Sequence, residues 1–177
     1  MTQSILAKSV LFVLTPFIML TACTIPEAQS EVVVEEATKQ IEEPVELAHD
    51  FSLPTLDSTV LTLSDYRGEF VLINFWATWC VWCVEEMPYL QEVADSGQIH
   101  VWGINMRETV DEMNEFTEQH GISFPILLSP DNETILAYPG GMPRTFIIGP
   151  DGNIVHTIFG PINPESFDAW IEINLQP

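Results

Sequence analysis

Basic residues are scarce in this chain of 177 residues, which has five lysines and arginines against 26 aspartates and glutamates. The formal net charge is −21. Nucleic acids and anionic lipid surfaces are bound through clusters of lysine and arginine that face phosphate groups. The charge balance therefore argues against a nucleic-acid partner and against electrostatic adhesion to an anionic membrane.

Long apolar runs are absent after the first 22 residues. Met1–Ala22 contains a single lysine, Lys8, no acidic residue, and an apolar core over Val10–Leu20. This core is too short for a convincing membrane-spanning helix, and its position is typical of an export signal. We therefore predict a signal peptide over residues 1–22 and a protein that works outside the cytoplasm.

The export signal ends in the sequence LTAC at residues 20–23, which resembles a bacterial lipobox. This resemblance implies a lipidated Cys23 at the start of the mature chain, whereas an ordinary cleavage site with a nearby cysteine is the alternative. Thr24–Ala48 carries seven glutamates and no aromatic residue, so it buries too little apolar surface to fold. We predict an acidic flexible tether over residues 23–48, anchored at a membrane through several acyl chains.

Cysteine is scarce as well, and two of the three cysteines, Cys80 and Cys83, stand three positions apart. They follow the apolar run Phe70–Trp76 and precede a helix-like stretch, Val84–Val93. A helix start favours a thiolate on the first sulfur, which indicates a redox-active dithiol. A metal site is the alternative, but zinc normally needs four ligands and the sequence has no second cysteine pair or closely spaced histidine pair.

From residue 49 onward, short apolar runs alternate with amphipathic stretches, as in an α/β domain. The predicted strands are Phe51–Leu53, Val60–Leu63, Phe70–Trp76, Ile99–Met106, Phe124–Leu128, Thr145–Gly149 and Ile154–Phe159. The predicted helices are Met87–Asp95, Val110–His120, Glu133–Tyr138 and Pro164–Ile173. Asn163 is the expected cap of the last helix, with Pro164 at its first position. Asp151-Gly152 predicts a hairpin between the last two strands. We expect one domain over residues 49–177 with a mixed sheet.

Three motifs resemble the thioredoxin superfamily: NFWATWC at 74–80, EMP at 86–88 and GMPRTFII at 141–148. Within it, the chain is similar to the membrane-tethered TlpA/ResA/DsbE-like thiol–disulfide oxidoreductases, whose domain is of the AhpC/TSA-redoxin type. The likeness spans about residues 51–173. It implies a thioredoxin-like fold in which helices flank a central mixed β-sheet, with an N-terminal β-hairpin extension.

The resemblance also implies the roles of the catalytic residues. Cys80 is the expected nucleophile, exposed at the helix start, and Cys83 is the expected resolving thiol. Glu86 follows Cys83 by three residues on the same helix face, and the family position carries a catalytic carboxylate. The alternative is an ordinary acidic residue in the first turns of a helix. Asn74 occupies the position of a buried aspartate in thioredoxin itself, and an asparagine cannot titrate.

Substrate contacts are expected from Met142, Pro143, Trp79 and Trp82. The superfamily has a cis peptide before the proline matching Pro143, which would turn the backbone of Met142 toward an extended substrate. Packing against the protein is the alternative for both tryptophans. Arg144 is a candidate for offsetting negative charge at the dithiol. Many relatives carry proline where Trp82 stands, so the redox potential does not follow from the family.

The resemblance implies an extracytoplasmic reductase of disulfides in exported proteins, such as apocytochrome c during cytochrome c biogenesis. Its electrons would come from an integral-membrane thiol carrier. We expect a monomer that needs no cofactor beyond the Cys80–Cys83 disulfide and no metal, at the cell membrane or in the periplasm. The alternatives are a disulfide oxidant, a copper-binding assembly factor, and a peroxiredoxin-like peroxidase, although Ala77 stands where a peroxidase would place threonine.

Overall fold

The computed structural model describes residues 46–129 and 133–175. The predicted signal peptide, Cys23 and the tether up to residue 45 lie outside the described residues. None of the helices in the described part of the chain is long and apolar enough to cross a lipid bilayer.

Eight strands and four helices make up the described domain. The strands are β1 (Glu46–Leu47), β2 (Ser52–Pro54), β3 (Val60–Thr62), β4 (Val71–Trp76), β5 (His100–Asn105), β6 (Ile126–Leu128), β7 (Arg144–Ile148) and β8 (Asn153–Phe159). The helices are α1 (Val81–Asp95), α2 (Val110–His120), α3 (Glu133–Ala137) and α4 (Pro164–Asn174), with a 3₁₀ turn at Leu63–Tyr66. Each predicted strand and helix has a counterpart.

Six strands form one mixed sheet in the order β1-β8-β7-β4-β5-β6. β4, β5 and β6 are parallel to one another, whereas β7 is antiparallel to both β4 and β8. β2 and β3 form a separate antiparallel hairpin that lies between β1 and β4 in sequence. The predicted mixed sheet flanked by helices and the predicted N-terminal hairpin are confirmed.

The first strand corrects the predicted extent of the tether. Glu46 and Leu47 pair with β8, and Ala48 is buried. A strand of two residues has no periodicity that a sequence pattern reveals, since it forms only because the edge of β8 offers hydrogen-bonding partners. The folded domain therefore includes the last three residues of the segment predicted as tether.

The two faces of the sheet bury different sets of side chains. Alternation along β4 sends Leu72 and Trp76 into a core cluster with α1, α2 and α4, and sends Ile73 and Phe75 into a second cluster. The second cluster contains the N-terminal hairpin, the 3₁₀ turn and Tyr138, which follows α3. The first cluster includes both cysteines of the dithiol, so the candidate site rests on the face covered by α1.

Local sequence signals account for several boundaries. Asn163 caps α4 by accepting a hydrogen bond from the Ser166 N–H at 3.0 Å, and Pro164 takes the first helical position, as predicted. Thr109 and Glu112 form a capping box at the start of α2. Gly152 adopts a φ of +88° in the turn between β7 and β8, a conformation that glycine adopts without strain.

Candidate active site

The dithiol lies where β4 ends and α1 begins. The turn after β4 is closed by a hydrogen bond from the Cys80 N–H to the Ala77 carbonyl oxygen at 3.1 Å. Cys80 is the N-cap residue of α1, and its Sγ accepts a hydrogen bond from the Cys83 N–H at 3.3 Å. The two cysteines form a disulfide with their Cα atoms 5.2 Å apart. The helix N-terminus therefore directs its free N–H groups at the sulfur that the sequence predicts to be the nucleophile.

The expectation of an exposed Cys80 is wrong in this disulfide form, because only 8% of the residue is accessible. Its Sγ is bonded to the Sγ of Cys83, which is fully buried in the first turn of α1. The exposed residues are instead the neighbours: Trp79, Val81 and Trp82 are each at least 60% accessible. The disulfide is therefore mostly buried, and the exposed side chains next to it in sequence are apolar.

Glu86 is a buried carboxylate on the same helix as Cys83. Its Oε2 accepts a hydrogen bond from the Ile162 N–H at 2.8 Å, and its Oε1 accepts one from Asn74 Nδ2, also at 2.8 Å. Burial raises the pKa of Glu86, and the hydrogen bonds from Ile162 and Asn74 oppose that rise. A carboxyl group with a raised pKa, three residues after the resolving thiol on the same helix, is suited to exchanging a proton with that thiol.

Asn74 helps to hold the Glu86 carboxylate in place. Its Nδ2 also donates to Thr145 Oγ1 on β7 at 3.0 Å, so one amide group links β4, β7 and α1. Among the described residues, its buried Oδ1 has no hydrogen-bond partner. Asn74 therefore has an unpaired acceptor atom next to Glu86, the one buried carboxylate that the sequence pattern assigned to catalysis.

The loop before β7 comes to the same end of the sheet as the dithiol. β7 runs antiparallel to β4 and pairs Arg144 with Phe75, so the start of β7 lies beside the end of β4. The Met142–Pro143 peptide bond is cis, as the resemblance implies. Pro143 is buried, while Met142 is half-buried and packs against the core cluster that contains both cysteines.

The three tryptophans around the site differ in environment. Trp76 is fully buried and packs on Phe116 with ring centroids 5.0 Å apart, so it belongs to the core. Trp79 and Trp82 are 67% and 60% exposed on either side of Cys80 in sequence. The fold thus brings Cys80, Cys83, Glu86, Met142 and Pro143 to one end of the sheet and leaves these two tryptophans accessible beside them.

Glu108 is a residue of the site that the sequence analysis missed. Its carboxylate accepts hydrogen bonds from the Thr78 N–H at 2.8 Å, from the Thr78 hydroxyl, and from Asn105 Nδ2 at 2.7 Å. Thr78 lies two residues before Cys80, so Glu108 fastens the turn that presents the nucleophile. The signal was present, because parallel strands end at the same edge of a sheet and Asn105 and Glu108 follow the strand predicted at 99–106.

Arg144 does not serve the dithiol in the way considered from sequence. Its guanidinium donates to the carbonyl oxygens of Tyr138 at 2.6 Å, and of Gly141 and Ile135 at 3.2 Å each. It also lies 4.2 Å from the centroid of the Phe75 ring, in the second core cluster. Burial lowers the pKa of Arg144. These contacts hold the loop before the cis peptide and give no support to a role in offsetting charge at Cys80.

A metal centre finds no support in the described residues, where no group of three or more histidine, cysteine, aspartate and glutamate side chains is arranged to hold an ion. The strongest cluster of reactive groups in that part of the chain is therefore the disulfide with its buried carboxylate.

Comparison with known proteins agrees with this geometry. Residues 44–157 match the model of the AhpC/TSA family. The chain belongs to this family. Thiol-disulfide oxidoreductase ResA of Geobacillus kaustophilus is 34% identical over 129 residues, which are 71% of this chain and 74% of that protein. The ResA protein of Bacillus subtilis is 29% identical over 130 residues, covering 71% and 73% of the two chains.

Solved structures show the same fold. A thiol:disulfide interchange protein of the thioredoxin family from Chlorobium tepidum TLS superposes with a TM-score of 0.68 at 26% identity. The match covers 76% of this chain and 99% of the other. This member of the AhpC/TSA family is therefore thioredoxin-like, and its activity class is that of a thiol–disulfide oxidoreductase.

Proposed function

We propose that this protein reduces disulfides in exported proteins at the outer face of a bacterial membrane. The observation that carries the thiol–disulfide chemistry of this proposal is the buried Glu86, three residues after the buried Cys83 on the same helix. Two cysteines alone could serve a structural disulfide or a metal site. A buried carboxylate with a raised pKa is suited in addition to the proton transfers of a catalytic cycle.

The first half of the reaction is carried out by Cys80. Its thiolate attacks one sulfur of the client disulfide, so a bond forms between Cys80 Sγ and that sulfur while the client S–S bond breaks. The released client sulfur leaves as a thiolate and takes a proton from solvent. The first turn of α1, with its free N–H groups and dipole, stabilises the attacking thiolate.

The second half is carried out by Cys83 and Glu86. Glu86 takes the proton of the Cys83 thiol, and the Cys83 thiolate then attacks Cys80 Sγ. The mixed disulfide breaks, the second client sulfur leaves as a thiolate that takes up a proton, and Cys80 and Cys83 become the disulfide seen here. The client has gained two electrons and the protein has lost two, which an integral-membrane thiol donor must return.

Substrate binding falls to Met142, Pro143, Trp79 and Trp82. Met142 precedes the cis bond, is half-buried and packs against the core cluster that contains both cysteines, and its backbone would pair with an extended client segment. The carbonyl oxygen of Pro143 already accepts a hydrogen bond from the Gly160 N–H at 2.9 Å, so pairing with the client falls to Met142. The two exposed tryptophans, on either side of Cys80 in sequence, offer apolar contacts to the client.

The location of the protein follows from its N-terminal sequence. Residues 1–22 direct export, Cys23 carries the acyl chains, and the following acidic residues are the tether. A flexible chain of this length reaches about 25 Å, which places the dithiol near the membrane but clear of its surface. Replacement of Cys23 by serine should release the protein from the membrane fraction, and a Cys23 variant that stays bound would contradict the anchor.

The client class we propose is apocytochrome c, and the direction is reduction, both carried by the likeness to the ResA and DsbE branch. The test is the reduction potential of Cys80 and Cys83 in glutathione buffers. We expect a potential below that of protein disulfide isomerase, about −180 mV, since a reductant in an oxidising compartment needs a stable disulfide. A potential well above that value would favour an oxidant instead.

A further inference from the structure

The buried carboxylate of Glu86 has hydrogen-bond partners of one kind only. Among the described residues, both partners are N–H groups: the backbone N–H of Ile162 for Oε2 and the Nδ2 group of Asn74 for Oε1, each at 2.8 Å. Glu86 is only 5% accessible, so the carboxylate is largely removed from solvent. The arrangement suits the ionised form, because a carboxylate accepts hydrogen bonds and donates none.

The proposed cycle gives Glu86 a second form. When it takes the proton of Cys83, Glu86 becomes a carboxylic acid with an O–H group that donates. A buried O–H group without an acceptor is unfavourable, because it has given up its hydrogen bond to water. The Ile162 N–H cannot accept a hydrogen bond. Of the two partners, only Asn74 has an acceptor atom to offer.

The acceptor atom of Asn74 is unused. Among the buried side-chain oxygen atoms of the described residues, Asn74 Oδ1 is the one without a hydrogen-bond partner. A half turn about the Cβ–Cγ bond exchanges Oδ1 with Nδ2, and the two ends of an amide are nearly equal in size. Oδ1 would then lie within hydrogen-bond distance of Glu86 Oε1 and Thr145 Oγ1. The Thr145 hydroxyl both donates and accepts, so the amide makes two hydrogen bonds in either orientation.

The surroundings of Glu86 leave this exchange to Asn74. Burial raises the pKa of Glu86 and the hydrogen bonds from Ile162 and Asn74 lower it, and no charged side chain of the described residues is among the causes. On α1, the buried titratable neighbour is Cys83, and Glu85 is exposed. β4 and the loop before α4 contribute the uncharged Asn74 and Ile162.

We propose that Asn74 is a positioning residue whose side-chain amide turns over when Glu86 takes up a proton. Before the transfer, Nδ2 donates to the carboxylate. Afterwards, Oδ1 accepts from the new Glu86 O–H group and from the Thr145 hydroxyl. In the transfer itself the S–H bond of Cys83 breaks and the O–H bond of Glu86 forms, while the turn of the amide moves no proton or electron. This inference deepens the proposed function and rests on it for its role in the cycle.

The test is an NMR titration of the full-length wild-type protein in its disulfide form, labelled with ¹³C and ¹⁵N in detergent micelles. The Glu86 ¹³Cδ shift reports protonation of the carboxylate. We expect nuclear Overhauser effects between the Asn74 Nδ2 protons and the Thr145 methyl group at high pH. They should weaken strongly over the pH interval in which Glu86 titrates. Glu86→Gln, which cannot ionise, should show the low-pH pattern at every pH.

Asn74→Leu removes the donor and the acceptor together at similar size. An amide fixed in the described orientation stabilises the carboxylate alone, so its loss would raise the proton affinity of Glu86 by about tenfold or more. An amide that turns stabilises both forms, so we expect a rise of less than about threefold. Resolution of the mixed disulfide should slow by about fivefold, whereas attack by Cys80, which does not use Glu86, should keep its rate.

Thr145→Val is the matched control, because its hydroxyl bonds the amide in both orientations. It should lower stability in urea denaturation and leave the proton affinity of Glu86 unchanged. Asn74 signals that stay constant while Glu86 titrates, or a tenfold rise of proton affinity in Asn74→Leu, would overturn the turning amide and leave the reductase intact. Failure of the wild-type protein to reduce any disulfide would overturn the proposed function, whereas the titration would still decide whether the amide turns.

Discussion

Replacing Glu86 with glutamine keeps the size of the side chain and removes its ability to take up a proton. The new glutamine side chain can still accept from the Ile162 N–H, and its amide can donate to Asn74 Oδ1, which has no partner among the described residues. Asn74 then turns its amide over, and the Thr145 hydroxyl donates to the same oxygen. Turning the Asn74 amide moves its Nδ2 to the position where Oδ1 had no partner, so the number of unpaired Asn74 groups does not rise and Glu86→Gln should change the free energy of unfolding by only about 1 kcal/mol.

Glu86→Ala behaves differently, because it leaves Asn74 Nδ2 and the Ile162 N–H buried without an acceptor. Each unpaired donor costs about 1–3 kcal/mol, so the alanine variant should lose about 2–6 kcal/mol of stability. Urea denaturation of the two variants side by side measures this difference. It also identifies the glutamine variant as the suitable one for kinetics.

The pH dependence of stability follows from the direction of the pKa shift. Burial raises the pKa of Glu86 in the folded chain above its value in the unfolded chain. The folded state then binds more protons between the two pKa values, so stability falls as pH rises through that interval. This stabilisation by protonated Glu86 is fully present below the Glu86 pKa of the unfolded state and is lost as pH rises through the Glu86 pKa of the folded state. Glu86→Gln should abolish this decline, so the stability of the variant relative to the wild type should increase as pH rises.

The catalytic effect is expected in the second half of the cycle. With no proton acceptor beside Cys83, resolution of the mixed disulfide should slow by about 100-fold, the lower end of the range for acid–base groups. In the wild type this step should accelerate as pH rises through the Glu86 pKa, and the variant should lack that rise. Rapid-mixing kinetics with a peptide disulfide separates attack by Cys80 from resolution. An unchanged resolution rate and pH profile in Glu86→Gln would refute the proton-transfer role.

Three further substitutions test other parts of the structure. Glu108→Ala frees Thr78 and the turn before the nucleophile, so kcat/KM for a peptide disulfide should fall about tenfold or more. Arg144→Met leaves three carbonyl oxygens without their donor and should cost about 3 kcal/mol or more in urea denaturation. Gly103→Ala places a Cβ 2.8 Å from Trp76 Nε1 and should lower stability by about 1–3 kcal/mol in the same assay.

Two of these substitutions have a matched control in the chain. Glu115→Ala removes an exposed carboxylate of α2 and should leave the rate of peptide reduction unchanged. Gly141→Ala adds a Cβ that meets no atom within 4 Å, so it should be much less destabilising than Gly103→Ala. Equal rates for the two glutamate variants, or equal stabilities for the two glycine variants, would count against the contacts described. An Arg144→Met variant as stable as the wild type would show that the carbonyl oxygens find other partners.

The parts of the fold that sequence patterns predicted are those with local causes. The cap of α4 by Asn163 and Pro164, the hairpin at Asp151-Gly152, and the dithiol at the start of α1 each depend on residues within a few positions of one another. Alternating apolar runs likewise located the strands, because side-chain direction along a strand has a period of two.

The parts that were missed depend on contacts between distant segments. Glu86 binds the backbone of Ile162, 76 residues away, and Glu108 binds Thr78 across 30 residues. Cys80 is mostly buried in the disulfide form, where it is bonded to the fully buried Cys83, and its place at a helix start does not reveal this. Glu46–Leu47 is a strand only because β8 has a free edge to pair with. Such features follow from topology, and a single sequence reveals them only after the strand order is known.

The proposed mechanism requires that Cys80 attacks the client and Cys83 resolves the mixed disulfide, and covalent trapping tests these two roles directly. The reduced Cys83→Ser and Cys80→Ser variants are incubated with a client peptide disulfide and separated under non-reducing conditions. We predict that Cys83→Ser accumulates a mixed disulfide through Cys80, because the resolving thiol is missing, and that Cys80→Ser accumulates almost none, because Cys83 is fully buried. Equal trapping by the two variants, or trapping by Cys80→Ser alone, would contradict the mechanism.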